Sequence, residues 1–139
     1  MGRERGVYLA AFLALALFSS LALAMSAQDA ARHRSFYEEY SYANELFEDD
    51  YYFEAAEIYA RLAAIYPDSH IIEMKQAICA LSFEDFESTL AHAARAVELN
   101  PLLLLDESTR EILAICYEQL GDNGTADMLR AYGKEGVSS

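Results

Sequence analysis

His33, His70 and His92, two cysteines and a surplus of carboxylates are where chemistry would have to be sought in this chain. The histidines are scattered. None stands four residues from another beside a glutamate, the spacing that places two imidazoles and a base on one helix face for zinc hydrolysis. Each reads as a surface or helix-end histidine. No serine or cysteine can be matched to a nearby base, and no glycine-rich loop is present to cradle a phosphate. The acidic stretches FEDD (residues 47–50) and FEDFE (residues 83–87) lack the alternating ligand positions of a calcium loop. They read as solvated charge at helix ends. An enzyme, a metal site and a bound cofactor are therefore not expected.

Charge narrows the partners further. The chain has 10 Lys and Arg against 23 Asp and Glu, a formal net charge of −13. Beyond residue 24 the balance is 8 against 22, or −14, because Arg3, Arg5 and Glu4 precede that point. Such a surface repels nucleic acid and anionic headgroups, so neither is an expected partner. It reads first as a solvated surface and second as an attraction for a basic segment.

The first 24 residues differ from the rest. Arg3 and Arg5 precede an apolar run over residues 7–24, interrupted only by Ser19 and Ser20 and ending in Ala22-Leu23-Ala24, a small-x-small cleavage pattern. This predicts a secretory signal peptide. The alternative is an uncleaved membrane anchor, since residues 7–25 are long enough to span a bilayer. Either way the arginines hold the N-terminus inside and send the remainder out of the cytoplasm. Residues 25–35 form an N-terminal extension, and residues 134–139 a flexible tail.

Past the leader, glycine and proline are scarce, alanine is abundant and no strand-like alternation is sustained, so the expected fold is all-α. Pro67 and Pro101 are the only prolines, 34 residues apart. Periods of about 20 to 50 residues mark solenoid repeats. Alignment on the prolines sets YYFEAAEIYARLAAIYPDS (residues 51–69) over DFESTLAHAARAVELNPLL (residues 85–103), with Tyr52 over Phe86, Ala60 over Ala94, Ile65 over Leu99 and Ala43 over Ala77. Small residues recurring one helical turn from large ones suit closely crossed antiparallel helices. Each proline ends the second helix of a pair.

These residues resemble the tetratricopeptide repeat, a 34-residue helix-turn-helix unit. Ala43, Ala55, Tyr59 and Pro67 carry the resemblance in residues 36–69, and Ala77, Ala96 and Pro101 in residues 70–103, where Thr89 and Ala93 replace the usual alanine and aromatic. Ala114, Tyr117, Gly121 and Ala126 carry it in residues 107–133, which begin three residues later than an unbroken array would. The resemblance implies a right-handed superhelical stack of antiparallel helix pairs whose first helices line a concave groove for a peptide or partner helix. By position, that groove holds Tyr37, Tyr40, Asn44 and Phe47, then Ile71, Met74, Ile78 and Leu81, then Ile115 among Ser108, Glu111 and Glu118. Tyr40 and Met74 stand where a clamp for a carboxylate tail would need lysine, so such a clamp is not expected.

Cys79 and Cys116 occupy the same place in neighbouring units. Packed helix axes lie about 8 to 10 Å apart whereas a disulfide needs Cα atoms within about 7 Å, so both are expected to be reduced core residues. NGT (residues 123–125) is a glycosylation sequon only in a eukaryote and equally a tight turn between helices.

The three extra residues fall in the run Leu102, Leu103, Leu104 and Leu105. Two structures compete there: a helix begun at Pro101 with Asn100 as cap, or an apolar loop ahead of a capping box at residues 108–111. The extended helix is favoured, with two leucines sealing the joint between repeats and two facing outward. With Met128, Leu129 and Tyr132 at the uncapped end, the leucines form a candidate docking patch for a partner or a second copy. The implied function is an exported adaptor or scaffold in a cell-envelope complex, with an amphipathic helix or basic segment as partner. It would be located in the bacterial periplasm, soluble after cleavage or anchored to the inner membrane. An accessory or chaperone-like subunit of an envelope enzyme or secretion system is the second reading.

Overall fold

Small side chains recurring at two places in each unit decide how the chain packs. In the computed structural model, which describes residues 2–132 with side chains from residue 15 onward, every element is helical. The order is α1 (Gly2–Glu48), α2 (Tyr52–Ile65), α3 (His70–Ser82), α4 (Phe86–Leu99), a short 3-10 helix (Pro101–Leu105), α5 (Glu107–Gln119) and α6 (Asn123–Ala131). Ala43, Ala77 and Ala114 on the first helices, and Ala55, Thr89 and Ala126 on the second, are all at most 1% exposed. Both series step by 34 and then by 37 residues, so the period and its three-residue slip are built into the core. Each helix from α2 onward packs on the next, the contact pattern of a helical repeat.

The turn inside each pair follows the same steps. Asp50, Glu84 and Gly121 all adopt positive φ, at 65°, 58° and 89°. Behind each, an N–H reaches five residues back to close the preceding helix: Tyr51 to the Leu46 carbonyl at 2.8 Å, Asp85 to Ala80 at 3.1 Å and Asp122 to Tyr117 at 2.7 Å. This left-handed cap satisfies carbonyls the helix end would otherwise orphan. Only the third turn uses glycine for it.

The starts of α4, α5 and α6 are fixed by aspartate side chains. Asp85, Asp106 and Asp122 accept from the backbone N–H of Ser88 (3.0 Å), Thr109 (2.9 Å) and Thr125 (3.1 Å), and each also takes a hydroxyl from those residues or from Ser108. Hydrogen bonds to the ionised form hold all three carboxyls below the usual aspartate range. Helix ends obey the prolines: the residues before Pro67 and Pro101 leave the helical region, Tyr66 at ψ 69° and Asn100 at ψ 89°.

The leucine run departs from the favoured expectation. Asn100 does cap it, accepting from the Leu102 N–H at 3.3 Å. Yet the run forms a separate 3-10 turn, and α5 starts afresh at Glu107 with Asp106 as its cap. The capping box of the alternative reading, at residues 108–111, is not formed either, because Ser108 donates to Asp106 and Glu111 pairs with Arg130. A single aspartate that takes the Thr109 N–H and two hydroxyls outcompetes a helix run on through Asp106. Arg110 secures the turn from the other side, donating to the carbonyls of Leu104 (2.8 Å) and Leu105 (2.9 Å).

The chain divides into two compact units, Met1–Glu38 and Glu39–Ser139. In the first, α1 runs without a break through residues 22–24 and 35–36, so the backbone marks neither the expected cleavage point nor the start of the first repeat. Leu15, Leu17, Phe18, Leu21, Leu23 and Met25 are all exposed there. Their spacing spreads them around the helix, leaving no polar face. Among the described residues no helix is long and apolar enough to cross a membrane, but the side chains of the first half of the apolar run lie outside those residues. The expected tail at residues 134–139 also lies outside them.

Two outcomes are expected from these caps. Because the folded aspartates titrate below their unfolded values, the stability they supply is complete above the ordinary aspartate pKa of about 3.9 and is lost as pH falls through the depressed folded values. Thermal melts between pH 6 and pH 3 should show this loss, and the combined Asp85→Asn, Asp106→Asn and Asp122→Asn variant, which still caps but does not titrate, should show less of it. Gly121→Ala should lower unfolding free energy by about 1 kcal/mol in urea titrations, through backbone strain alone, since an added Cβ meets nothing within 4 Å.

Candidate functional site

The predicted groove separates into residues that hold the repeats together and residues left open. Asn44, Tyr40 and Phe47 belong largely to the first kind. The Tyr59 hydroxyl donates to Asn44 Oδ1 at 2.8 Å, and the Tyr59 ring is met edge-on by Tyr40 and Phe47, with centroids at 6.2 and 6.4 Å. Tyr52 adds a further edge contact to Phe47 at 5.3 Å, and the Lys75 ammonium sits 4.0 Å from the Phe47 ring centre. This cluster is the interior of the first helix pair, with Tyr59 fully buried at its centre and its phenol pushed above the usual range by desolvation. Met74 is likewise a packing residue, lying against the buried group Ala77, Ala93 and Leu113.

Ile71 is exposed on α3, and Ile78, Leu81 and Ile115 are half-buried on α3 and α5. Ile78 and Ile115 hold equivalent places in successive units. Tyr37 is exposed on α1. Glu111 and Glu118, the acidic members of the third unit, are taken by Arg130, whose guanidinium contacts them at 3.1 and 2.8 Å and so ties α6 to α5. These carboxylates push Arg130 still further toward its charged form. Arg130 occupies the place where the first unit has Tyr59, an exchange that the repeat register locates but whose ion pairs it does not show.

The leucine run divides. Leu103 and Leu104 are half-buried, and Leu104 packs on the Ala77, Ala93 and Leu113 group, while Leu102 and Leu105 are 69% and 68% exposed. Leu104 also joins Thr125, Met128, Leu129 and Tyr132 around an open, almost wholly apolar hollow of about 160 Å³. Met128 and Tyr132 are exposed beside it, so of the sequence-derived patch Leu104, Met128, Leu129 and Tyr132 come together.

Among the described residues no group of three or more His, Cys, Asp or Glu converges as a metal site would require. Cys79 and Cys116 are buried and unbonded. Desolvation pushes the Cys79 thiol up to about 11 and raises that of Cys116, which keeps both protonated and poorly nucleophilic at neutral pH.

Among solved structures, the fold is similar to MamA from Desulfovibrio magneticus RS-1, with a TM-score of 0.62 and 17% identity over 75% of this chain and 59% of that one. A mutant of MamA matches with a TM-score of 0.61 and 16% identity, over 72% of this chain and 55% of that one. The chain thus spans little more than half the length of the structures it matches, and identities this low establish the fold alone. That fold is an all-α helical repeat of the tetratricopeptide type. No family model and no curated protein matches the sequence.

Thiol labelling tests the placement of the cysteines. With a maleimide at pH 7, Cys79 and Cys116 should react at least a hundredfold more slowly in the native chain than in denaturant, where both should label without prior reduction. A denatured monomer with no reactive thiol would instead reveal a disulfide.

Proposed function

We propose that the chain is an exported, non-enzymatic scaffold that binds partner proteins in a cell-envelope complex. The open side chains of its first helices and the apolar end beside Leu104 are the binding surfaces. The carrying observation is that this helical repeat leaves Ile71, Leu102, Leu105, Met128 and Tyr132 exposed while its two cysteine thiols are buried. Exposed apolar surface of this kind serves association, and helical repeats present it on a rigid frame. Likeness to MamA supports a protein-interaction repeat.

Export is part of the reading and rests on Arg3, Arg5 and the apolar run that follows. The Ser19, Ser20 and Ser26 hydroxyls bond back to carbonyls of Ala16 and Leu23 at 3.0, 2.6 and 2.8 Å. With these hydroxyls satisfied within the helix, the apolar run suits a lipid environment as an anchor or as a leader in transit. The second reading, an accessory or chaperone-like subunit of an envelope enzyme or secretion system, uses the same surfaces for changing clients.

Affinity capture from detergent-solubilised envelope separates the two, since a scaffold should bring down a fixed stoichiometric set and a chaperone-like subunit a mixed one. Ile71→Asp should reduce capture at least tenfold with helicity unchanged; unaltered capture would move binding away from the first helices. At the end face, Leu102→Glu and Leu105→Glu should weaken association without lowering the melting temperature. Leu104→Glu should cost on the order of 2–4 kcal/mol of stability, because it takes a charge into the packed group. Association indifferent to Leu102→Glu and Leu105→Glu would remove the end face from the proposal.

A further inference from the structure

On the side formed by the second helices, a furrow of about 300 Å³ opens where α2, α3 and α4 meet. Ala56, Ala60 and Ala80 line it, and Phe53 and Phe83 stand beside them 63% and 55% exposed. Two open phenylalanines flanking a trough of methyl groups leave room for apolar side chains between them. Aromatic walls around a recess of this kind are typical anchoring points for a protein partner.

A polar group in the same furrow lacks a partner. Gln76 contributes to the lining, and its side-chain Oε1 is buried without any hydrogen bond. The neighbouring contacts explain why. His92 Nδ1 lies 2.7 Å from Glu73 Oε2 and 3.4 Å from Gln76 Nε2. A ring N–H donated to the carboxylate cannot also accept from the amide, so the chain serves Gln76 poorly at both ends.

Charge identifies the visitor. Glu57, Glu84, Asp85 and Glu87 are exposed on the segments that bound the furrow, and residues 51–60 and 83–94 contain neither lysine nor arginine. The nearest arginines in sequence are engaged, Arg61 with Glu39 and Arg95 with Asp68 and Glu98. A second copy would bring the same acidic rim and a net charge of −13. We propose that this furrow is a second protein-binding site, distinct from the first-helix surface, for a partner segment that presents apolar side chains flanked by lysine or arginine. The apolar groups seat on Ala56, Ala60 and Ala80 between the phenylalanines, and the cations face the acidic rim.

The test is titration of the full chain with a short amidated peptide of Lys, Leu, Phe and Ala, followed by the alanine methyl signals in NMR, beside the same peptide with Glu replacing Lys. The basic peptide should shift the methyls of Ala56, Ala60 and Ala80, and the acidic one should not. Ala60→Arg, at an exposed position, should weaken binding at least tenfold, whereas Ala131→Arg on α6, the same change of charge elsewhere, and Ile71→Asp should leave it within twofold. An equal loss in Ala131→Arg would reduce the effect to bulk charge and overturn the proposal. So would equal binding of the acidic peptide, or a self-association abolished by Ala60→Arg with no peptide effect, which would give the furrow to a second copy. Loss of binding in Ile71→Asp alone would return the site to the first helices.

Discussion

Close approach of paired helices, made possible by a small residue at two fixed places per unit, is the constraint on which the rest of the structure depends. With Ala43 facing the Ala55 helix, Ala77 the Thr89 helix and Ala114 the Ala126 helix, the backbones come near enough for the larger residues beside them to interlock. Thr89 shows how narrow the tolerance is. Its hydroxyl is buried, and it fits only because Oγ1 donates to the Asp85 carbonyl one turn back at 2.7 Å, so no polar group is stranded. A side chain longer than threonine at that place would push α3 and α4 apart and open the group formed by Ala77, Ala93 and Leu113.

Much of this was legible because repetition turns a weak local signal into a strong one. Two prolines 34 residues apart and the recurrence of alanine gave the helix pairs and the position of the insertion. The groove was harder, because position in a repeat assigns a side chain to a face but does not say what else reaches it. Tyr40, Asn44 and Phe47 have the right places, yet Tyr59 on the facing helix draws all three inward. The furrow was missed for a related reason: Phe53 and Ala60 lie on a second helix and Phe83 in a turn, and their meeting with Gln76 and His92 depends on three helices at once. The form of the leucine run was set by competition at Asp106, whose capping strength no spacing rule conveyed.

Ala93 and the insertion are two departures from the pattern of the first pair that belong together. The first pair has Tyr59 where Ala93 stands, and the smaller side chain leaves the centre of the second pair short of volume. Met74, Leu90, Val97 and Leu104 pack around that point, and Leu104 comes from the inserted turn. The chain fills from outside the unit what the unit itself no longer supplies. Leu102 and Leu105 are then left facing outward, as they must be when a single tight turn carries four consecutive leucines.

In a linear array each helix pair interacts only with its neighbours, so cooperativity is a matter of how strongly adjacent pairs are coupled. The inserted turn is in that sense a lattice defect between the second and third pairs. Coupling across it passes through Leu113, which packs directly on Ala77 and Ala93, through Leu104 of the turn itself, and through the two carbonyls held by Arg110. The strength of those few links determines whether the pair α5–α6 melts together with the rest or opens first, carrying the apolar hollow at its end with it.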